Sequence, residues 1–119
     1  MTNEQLAATF DRIASLMEIQ GEVIYKTLAY RRAAENLRML GEDIATVRAE
    51  GRLLSLPGVG KAIAEKIEEL LDTGSLGFLE RLEEEVPPSL LEILEVPDVG
   101  PKKVALFWKQ AGITNLAEL

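Results

Sequence analysis

The sequence predicts an all-α fold in which short helices pack into a small helical bundle. Apolar residues recur every three or four positions, as at Leu6, Phe10, Ile13 and Met17, and no segment alternates with the two-residue period of a strand. A turn rich in proline and glycine occurs twice, 40 residues apart, each time between two helical segments. We therefore predict helices joined by short loops, with one motif repeated.

Seven helices are predicted, and most of them end at a glycine, which adopts the left-handed conformation that closes a helix. The glycines that follow predicted helices are Gly21, Gly41, Gly51, Gly74 and Gly112. Thr2 or Asn3 is expected to cap the first helix, because a short polar side chain accepts hydrogen bonds from the free amides of a first turn.

Other residues set the remaining boundaries. The second helix is predicted to turn Ile24, Leu28, Leu37 and Leu40 inward. Later breaks and caps are predicted at Pro87-Pro88, which ends the fifth helix, Ser89, which caps the sixth, Pro101, which begins the seventh, and Thr114, which caps a last turn.

The composition excludes several kinds of site. Of the 119 residues 47% are apolar, which is enough for a core, and the absence of cysteine and histidine excludes disulfides, thiolate metal sites and the commonest general base. No apolar run is long enough to span a bilayer, and Met1–Gln5 lacks the features of a signal peptide. We expect a cytoplasmic monomer that does not bind membranes.

The net charge of −7 is unevenly distributed. Residues 26–66 hold eight basic and five acidic side chains, and residues 99–119 hold three basic and one acidic. Residues 68–98 hold ten acidic side chains and one basic. The two positive stretches coincide with the two copies of the repeated turn, which favours an anionic partner there.

The repeated turn reads Leu-Pro-Gly-Val-Gly-Lys at 56–61 and Val-Pro-Asp-Val-Gly-Pro at 96–101. An apolar-Pro-Gly-apolar-Gly sequence between short helices is the hairpin of a helix-hairpin-helix motif. Its glycines permit unusual backbone angles and let a phosphate approach the main chain, while the apolar residue between them packs against the helices. The amides that follow lie at a helix N-terminus, where the helix dipole favours an anion.

Both hairpins are therefore expected to bind DNA backbone phosphates, without sequence specificity and with an affinity that falls with salt. The predicted contacts are Gly58, Val59, Gly60 and Lys61 in the first hairpin, and Gly100, Lys102 and Lys103 in the second. Asp98 replaces the first glycine of the second copy. Because aspartate tolerates the left-handed region better than most residues, we expect the turn to survive with a weaker phosphate contact.

Residues 29–34, 56–67 and Thr73-Gly74 resemble the N-terminal lyase-type domain of family X DNA polymerases, the family of DNA polymerase beta, and bacterial members resemble them most. Residues 96–101 and 111–116 resemble the second hairpin, which opens that family's polymerase domain.

The resemblance implies two parts, a lyase-type DNA-binding domain over 1–86 and a second helix-hairpin-helix over 87–119 at the start of the polymerase fingers. A catalytic palm with its Mg²⁺ would lie beyond Leu119, so this segment alone is not expected to polymerise.

The first domain of the family grips the 5′ phosphate at a gap or nick in DNA, and in some members it removes a 5′-deoxyribose phosphate through a lysine Schiff base. By position, Lys66 falls on that nucleophile, Tyr30 on a pocket tyrosine and Lys26 on a phosphate-binding lysine. A lysine solvated on a helix flank is the alternative role for Lys66. The well-studied animal members have basic residues where this chain has Tyr25, Leu54 and Ala62, so lyase activity stays open.

The family's hairpins often coordinate a monovalent cation, Na⁺ or K⁺, through main-chain carbonyls. By position these carbonyls belong to Leu54, Leu56 and Val59 in the first hairpin, and to Leu94, Val96 and Val99 in the second. The resemblance implies no other cofactor in this segment.

Two other functions fit the sequence less completely. A non-enzymatic tandem helix-hairpin-helix module would bind DNA but has no need of Lys26, Tyr30 and Lys66 together. A helical protein-interaction domain is favoured only by the acidic residues 68–98.

Overall fold

The computed structural model describes all 119 residues and contains no strand, which confirms the all-α class. Seven α-helices form it: α1 (Asn3–Gln20), α2 (Ile24–Met39), α3 (Ile44–Ala49), α4 (Lys61–Thr73), α5 (Gly77–Glu85), α6 (Leu90–Leu94) and α7 (Pro101–Ala111). Single 3-10 turns cover Leu53–Ser55 and Leu116–Glu118. None of the seven helices combines the length and the apolar composition that a membrane span requires.

The helix ends follow from local chemistry. The Thr2 side chain accepts a hydrogen bond from the Gln5 amide, while the Gln5 side chain accepts one from the Thr2 amide. Thr2 therefore caps α1, as predicted. Gly21, Gly74 and Gly112 take left-handed angles and close α1, α4 and α7.

Two predicted caps were wrong. The Ser89 hydroxyl makes no bond to its helix and donates instead to the Thr114 carbonyl, which ties the start of α6 to the end of the chain. The last turn is capped by Asn115, whose side chain accepts from the Glu118 amide. For Ser89 a tertiary partner competes with the local one, whereas the Thr114 hydroxyl donates to the Glu118 carboxylate within the same turn.

The inward face of α2 also differs from the prediction. Leu37 is buried as predicted, but Ile24 is 73% and Leu28 41% exposed, and the buried positions beside Leu37 are Ala33 and Ala34. Leu28 lies roughly 120° or more around the helix from Ala33, Ala34 and Leu37, and Ile24 lies on an exposed first turn. Small residues on that stripe let α2 approach α1 closely.

Helix α1 forms the centre of the molecule. Phe10, Ile13 and Leu16 are completely buried, and α1 contacts α2, α5 and α7. The hydrophobic core is continuous from α1 to Ile93 and Val104, so both hairpins are attached to one apolar cluster. The division at residues 86 and 87 stays a prediction.

Candidate nucleic-acid interface

The two hairpins share one backbone geometry. In the first, the Val59 amide donates to the Leu56 carbonyl at 3.2 Å, and in the second the Val99 amide donates to the Val96 carbonyl at 3.1 Å. Val59 is only 6% exposed and packs in the core, as the turn sequence predicts.

Gly58 and Asp98 occupy the same left-handed position, with φ of +75° and +66°. Asp98 is the one non-glycine residue with a positive φ, so aspartate does preserve the turn. At Gly58 a second constraint acts, because a Cβ would lie 2.7 Å from Nδ2 of Asn36. Asn36 donates from that atom to the Pro57 carbonyl at 2.8 Å and thereby fastens the first hairpin to α2.

The first hairpin presents free donors at the start of α4. The amides of Gly60, Lys61, Ala62 and Ile63 donate to no protein acceptor, and the first amide paired after them is that of Ala64, which donates to the Gly60 carbonyl. Because all of these residues precede or form one helical turn, their N–H groups and the helix dipole favour an anion at the same place.

The second hairpin offers fewer donors. Pro101 stands where the first hairpin has Lys61, so one amide and one positive charge are missing there. The Lys103 ammonium donates to the Asp98 carbonyl at 3.2 Å, and Asp98 adds a carboxylate at the turn. The two hairpins are therefore alike in backbone, but the second has one amide fewer and a carboxylate at its turn, followed by Lys102 and Lys103.

Lys66 and Tyr30 come together across α4 and α2. Lys66 Nζ lies 5.9 Å from the centroid of the Tyr30 ring and 4.7 Å from that of Phe78, on α5. The Tyr30 ring is stacked on Phe78 and also lies 6.0 Å from Phe10 in the core. Burial raises the pKa of the Tyr30 hydroxyl, so this group stays a neutral hydrogen-bond donor at neutral pH.

The other predicted phosphate ligands lie in different surroundings. Lys26 is on α2 one turn before Tyr30, and its ammonium pairs with the Glu22 carboxylate at 3.6 Å. Lys61 lines a cleft with Arg48 and Leu54, away from the rings that hold Lys66. The predicted residues thus form two places, the first hairpin and the face of Lys26, Tyr30 and Lys66.

Most arginines of the basic stretch are engaged within the protein. Those paired with acidic side chains are Arg31, Arg38, Arg48 and Arg52. Within residues 26–66, the basic side chains that form no ion pair are Arg32, Lys61 and Lys66. The unpaired positive charge of this stretch therefore lies near the first hairpin and the Tyr30 face, and α7 adds three lysines without an ion pair, Lys102, Lys103 and Lys109.

The hairpin carbonyls suit a monovalent cation. The carbonyls of Leu54 and Val59 accept no hydrogen bond, and that of Leu56 accepts only the turn bond. The same holds for Leu94, Val99 and Val96 in the second hairpin. Carbonyl oxygens that accept no hydrogen bond are the ligands that coordinate Na⁺ and K⁺ in proteins.

Sequence reasoning missed Phe78 and Asn36. Phe78 reads as an ordinary apolar residue of α5, and its contact with Lys66 depends on how three helices pack. Asn36 is a polar residue next to the buried stripe of α2, where a side chain often forms a tertiary hydrogen bond. Its position in the sequence could therefore have predicted such a bond.

Comparison with known proteins agrees with this architecture. A helix-hairpin-helix domain model matches residues 1–76, and a model of a SAM-like helix-hairpin-helix tandem matches residues 50–106. The DNA polymerase/3′-5′ exonuclease PolX of Bacillus subtilis is 32% identical over all 119 residues, which is 20% of that protein. DNA polymerase lambda of Rattus norvegicus is 26% identical over 117 residues, or 98% of this chain and 19% of that protein.

The chain thus spans about a fifth of the length of these relatives. Since the first model covers more than half of the residues, the chain belongs to the helix-hairpin-helix domain family. Over both hairpins it is similar to the N-terminal region of family X DNA polymerases.

Proposed function

We propose that this chain binds DNA through backbone phosphates and recognises the 5′ phosphate of a gap or nick. DNA binding is supported by the two helix-hairpin-helix matches and by the similarity to two DNA polymerases. The observation that carries the proposal is the set of unpaired amides at Gly60–Ile63 beside the unpaired Lys61. Such contacts read the sugar-phosphate backbone, so binding is nonspecific in sequence and weakens with salt.

The face of Lys26, Tyr30 and Lys66 is proposed to hold the 5′ phosphate. A terminal phosphate carries more charge than an internal one, and this face offers the unpaired Lys66 ammonium, the Lys26 ammonium beside Glu22, and a neutral phenol donor. In each hairpin, the three carbonyls would together bind one Na⁺ or K⁺ ion and so stabilise the turn. In a protein of the relatives' length, the chain would be a monomeric DNA-binding region that serves gap-filling repair synthesis, and Mg²⁺ would bind in a separate catalytic palm.

Removal of a 5′-deoxyribose phosphate is a second candidate function, favoured by the Lys66 amine, which forms no ion pair and lies beside Tyr30. The amine would attack the sugar C1′ aldehyde and lose water to form a Schiff base. Loss of the C2′ proton would then break the C3′–O bond and free the 5′-phosphorylated DNA. Borohydride should trap the adduct in wild type and not in Lys66→Ala; equal trapping in both would exclude Lys66 as the nucleophile.

Gapped DNA distinguishes the proposal from a plain tandem module. Fluorescence anisotropy on one-nucleotide-gapped DNA should give tighter binding with a 5′ phosphate than without one, and Lys66→Ala should reduce that difference. Lys109→Ala, which removes an unpaired lysine from α7, is the matched control and should weaken the binding of both DNAs by the same factor. If wild type binds the two DNAs equally, phosphate recognition is wrong; if it binds neither at low salt, a protein-interaction domain is the better interpretation.

A further inference from the structure

Lys66 is held by aromatic rings rather than by a carboxylate. Glu65 and Glu69 are near it in sequence, yet no acidic side chain pairs with it. Its ammonium instead lies 4.7 Å over Phe78 and 5.9 Å from the Tyr30 ring centroid. The negative face of an aromatic ring attracts a cation at these distances without neutralising it.

The two rings are themselves fixed. Phe78 and Tyr30 are stacked with an interplanar angle of 21°, and Tyr30 contacts Phe10, whose side chain is completely buried. Three helices therefore determine where the Lys66 ammonium lies. A flexible lysine that is fixed before binding loses less side-chain entropy when it meets an anion.

We propose that Phe78 is a positioning residue that fixes the Lys66 ammonium where the 5′ phosphate binds. This inference rests on the proposed function, and it adds a residue from α5 to a face otherwise built from α2 and α4. A carboxylate in the place of Phe78 would hold the lysine equally well but would repel the phosphate. An aromatic ring holds the lysine and leaves its charge available.

The test compares Phe78→Leu, which keeps an apolar side chain, with Phe78→Tyr, which keeps the ring. Phe107→Leu removes a partly buried aromatic ring from α7 and is the matched control. Each variant is measured by anisotropy on gapped DNA with and without a 5′ phosphate, after thermal melting shows that it is folded. Phe78→Leu should lower the preference for the 5′ phosphate by about two- to fivefold, the value of a partly exposed cation–π contact. Phe78→Tyr and Phe107→Leu should keep it.

An NMR measurement without DNA checks the geometry itself. Ring currents should shift the Lys66 εCH₂ protons upfield in wild type and in Phe78→Tyr, and Phe78→Leu should lose most of that shift. A wild-type protein with no 5′-phosphate preference overturns the proposed function, whatever the NMR result. A preference present in wild type but unchanged in Phe78→Leu overturns the role of Phe78 alone, and so does an equal loss in Phe78→Tyr.

Discussion

Substitution of Gly58 by alanine should cost more stability than the backbone angle alone explains. At φ of +75° an alanine costs about 1–2 kcal/mol relative to a right-handed conformation. Its Cβ would also lie 2.7 Å from Asn36 Nδ2, so the Asn36 side chain has to move and its bond to the Pro57 carbonyl is lost. That bond is worth about 0.5–1.5 kcal/mol, and we expect a total near 2–3 kcal/mol.

Gly74 provides the control. Its φ is also +75°, but a Cβ there would meet nothing within 4 Å. Gly74→Ala should therefore cost about 1–2 kcal/mol, less than Gly58→Ala by the value of the Asn36 bond. Urea unfolding followed by circular dichroism measures both. Equal destabilisation of the two variants, or a difference between them that persists in an Asn36→Ala background, would contradict the role given to the Asn36 bond.

Two further variants test the charges. Asp98→Asn keeps a residue that tolerates the left-handed turn and removes one negative charge from the second hairpin. Two unit charges in contact repel by about 1 kcal/mol in water, so gapped DNA should bind up to about fivefold more tightly. An unchanged Kd would mean that the second hairpin does not contact DNA. Hydrogen bonds from Arg48 hold the pKa of the Asp72 carboxyl below its usual 3.8, so its stabilising contribution is present above pH 3.8 and is lost as the pH falls through the lowered pKa. Between about pH 4 and pH 2, the melting temperature should fall less steeply in Asp72→Asn than in the wild-type protein. Parallel curves of melting temperature against pH would contradict this.

The features that local chemistry determines could be predicted from the sequence. Thr2, Gly21, Gly74 and Gly112 end helices by interactions within a few residues, and the structure places those ends where the sequence predicts them. The turn of each hairpin is also local, since it needs only its own proline, one residue that tolerates a positive φ (Gly58 or Asp98) and one apolar side chain.

The features that depend on packing could not be predicted. Ile24 and Leu28 read as inward residues because they are apolar, yet α2 turns Ala33 and Ala34 to α1 instead. A stripe of small residues has little hydrophobic signal, although it permits the closest helix contact. Phe78 shows the same limit, because the rings that hold Lys66 come from different helices.

The first hairpin is proposed to carry the main phosphate contact. Titration of ¹⁵N-labelled protein with 5′-phosphorylated gapped DNA measures this at single amides. The largest shifts should occur at Gly60, Lys61 and Ala62, whose N–H groups are unpaired, and smaller ones at Gly100 and Lys102. Larger shifts at the second hairpin, or none at the start of α4, would contradict the claim.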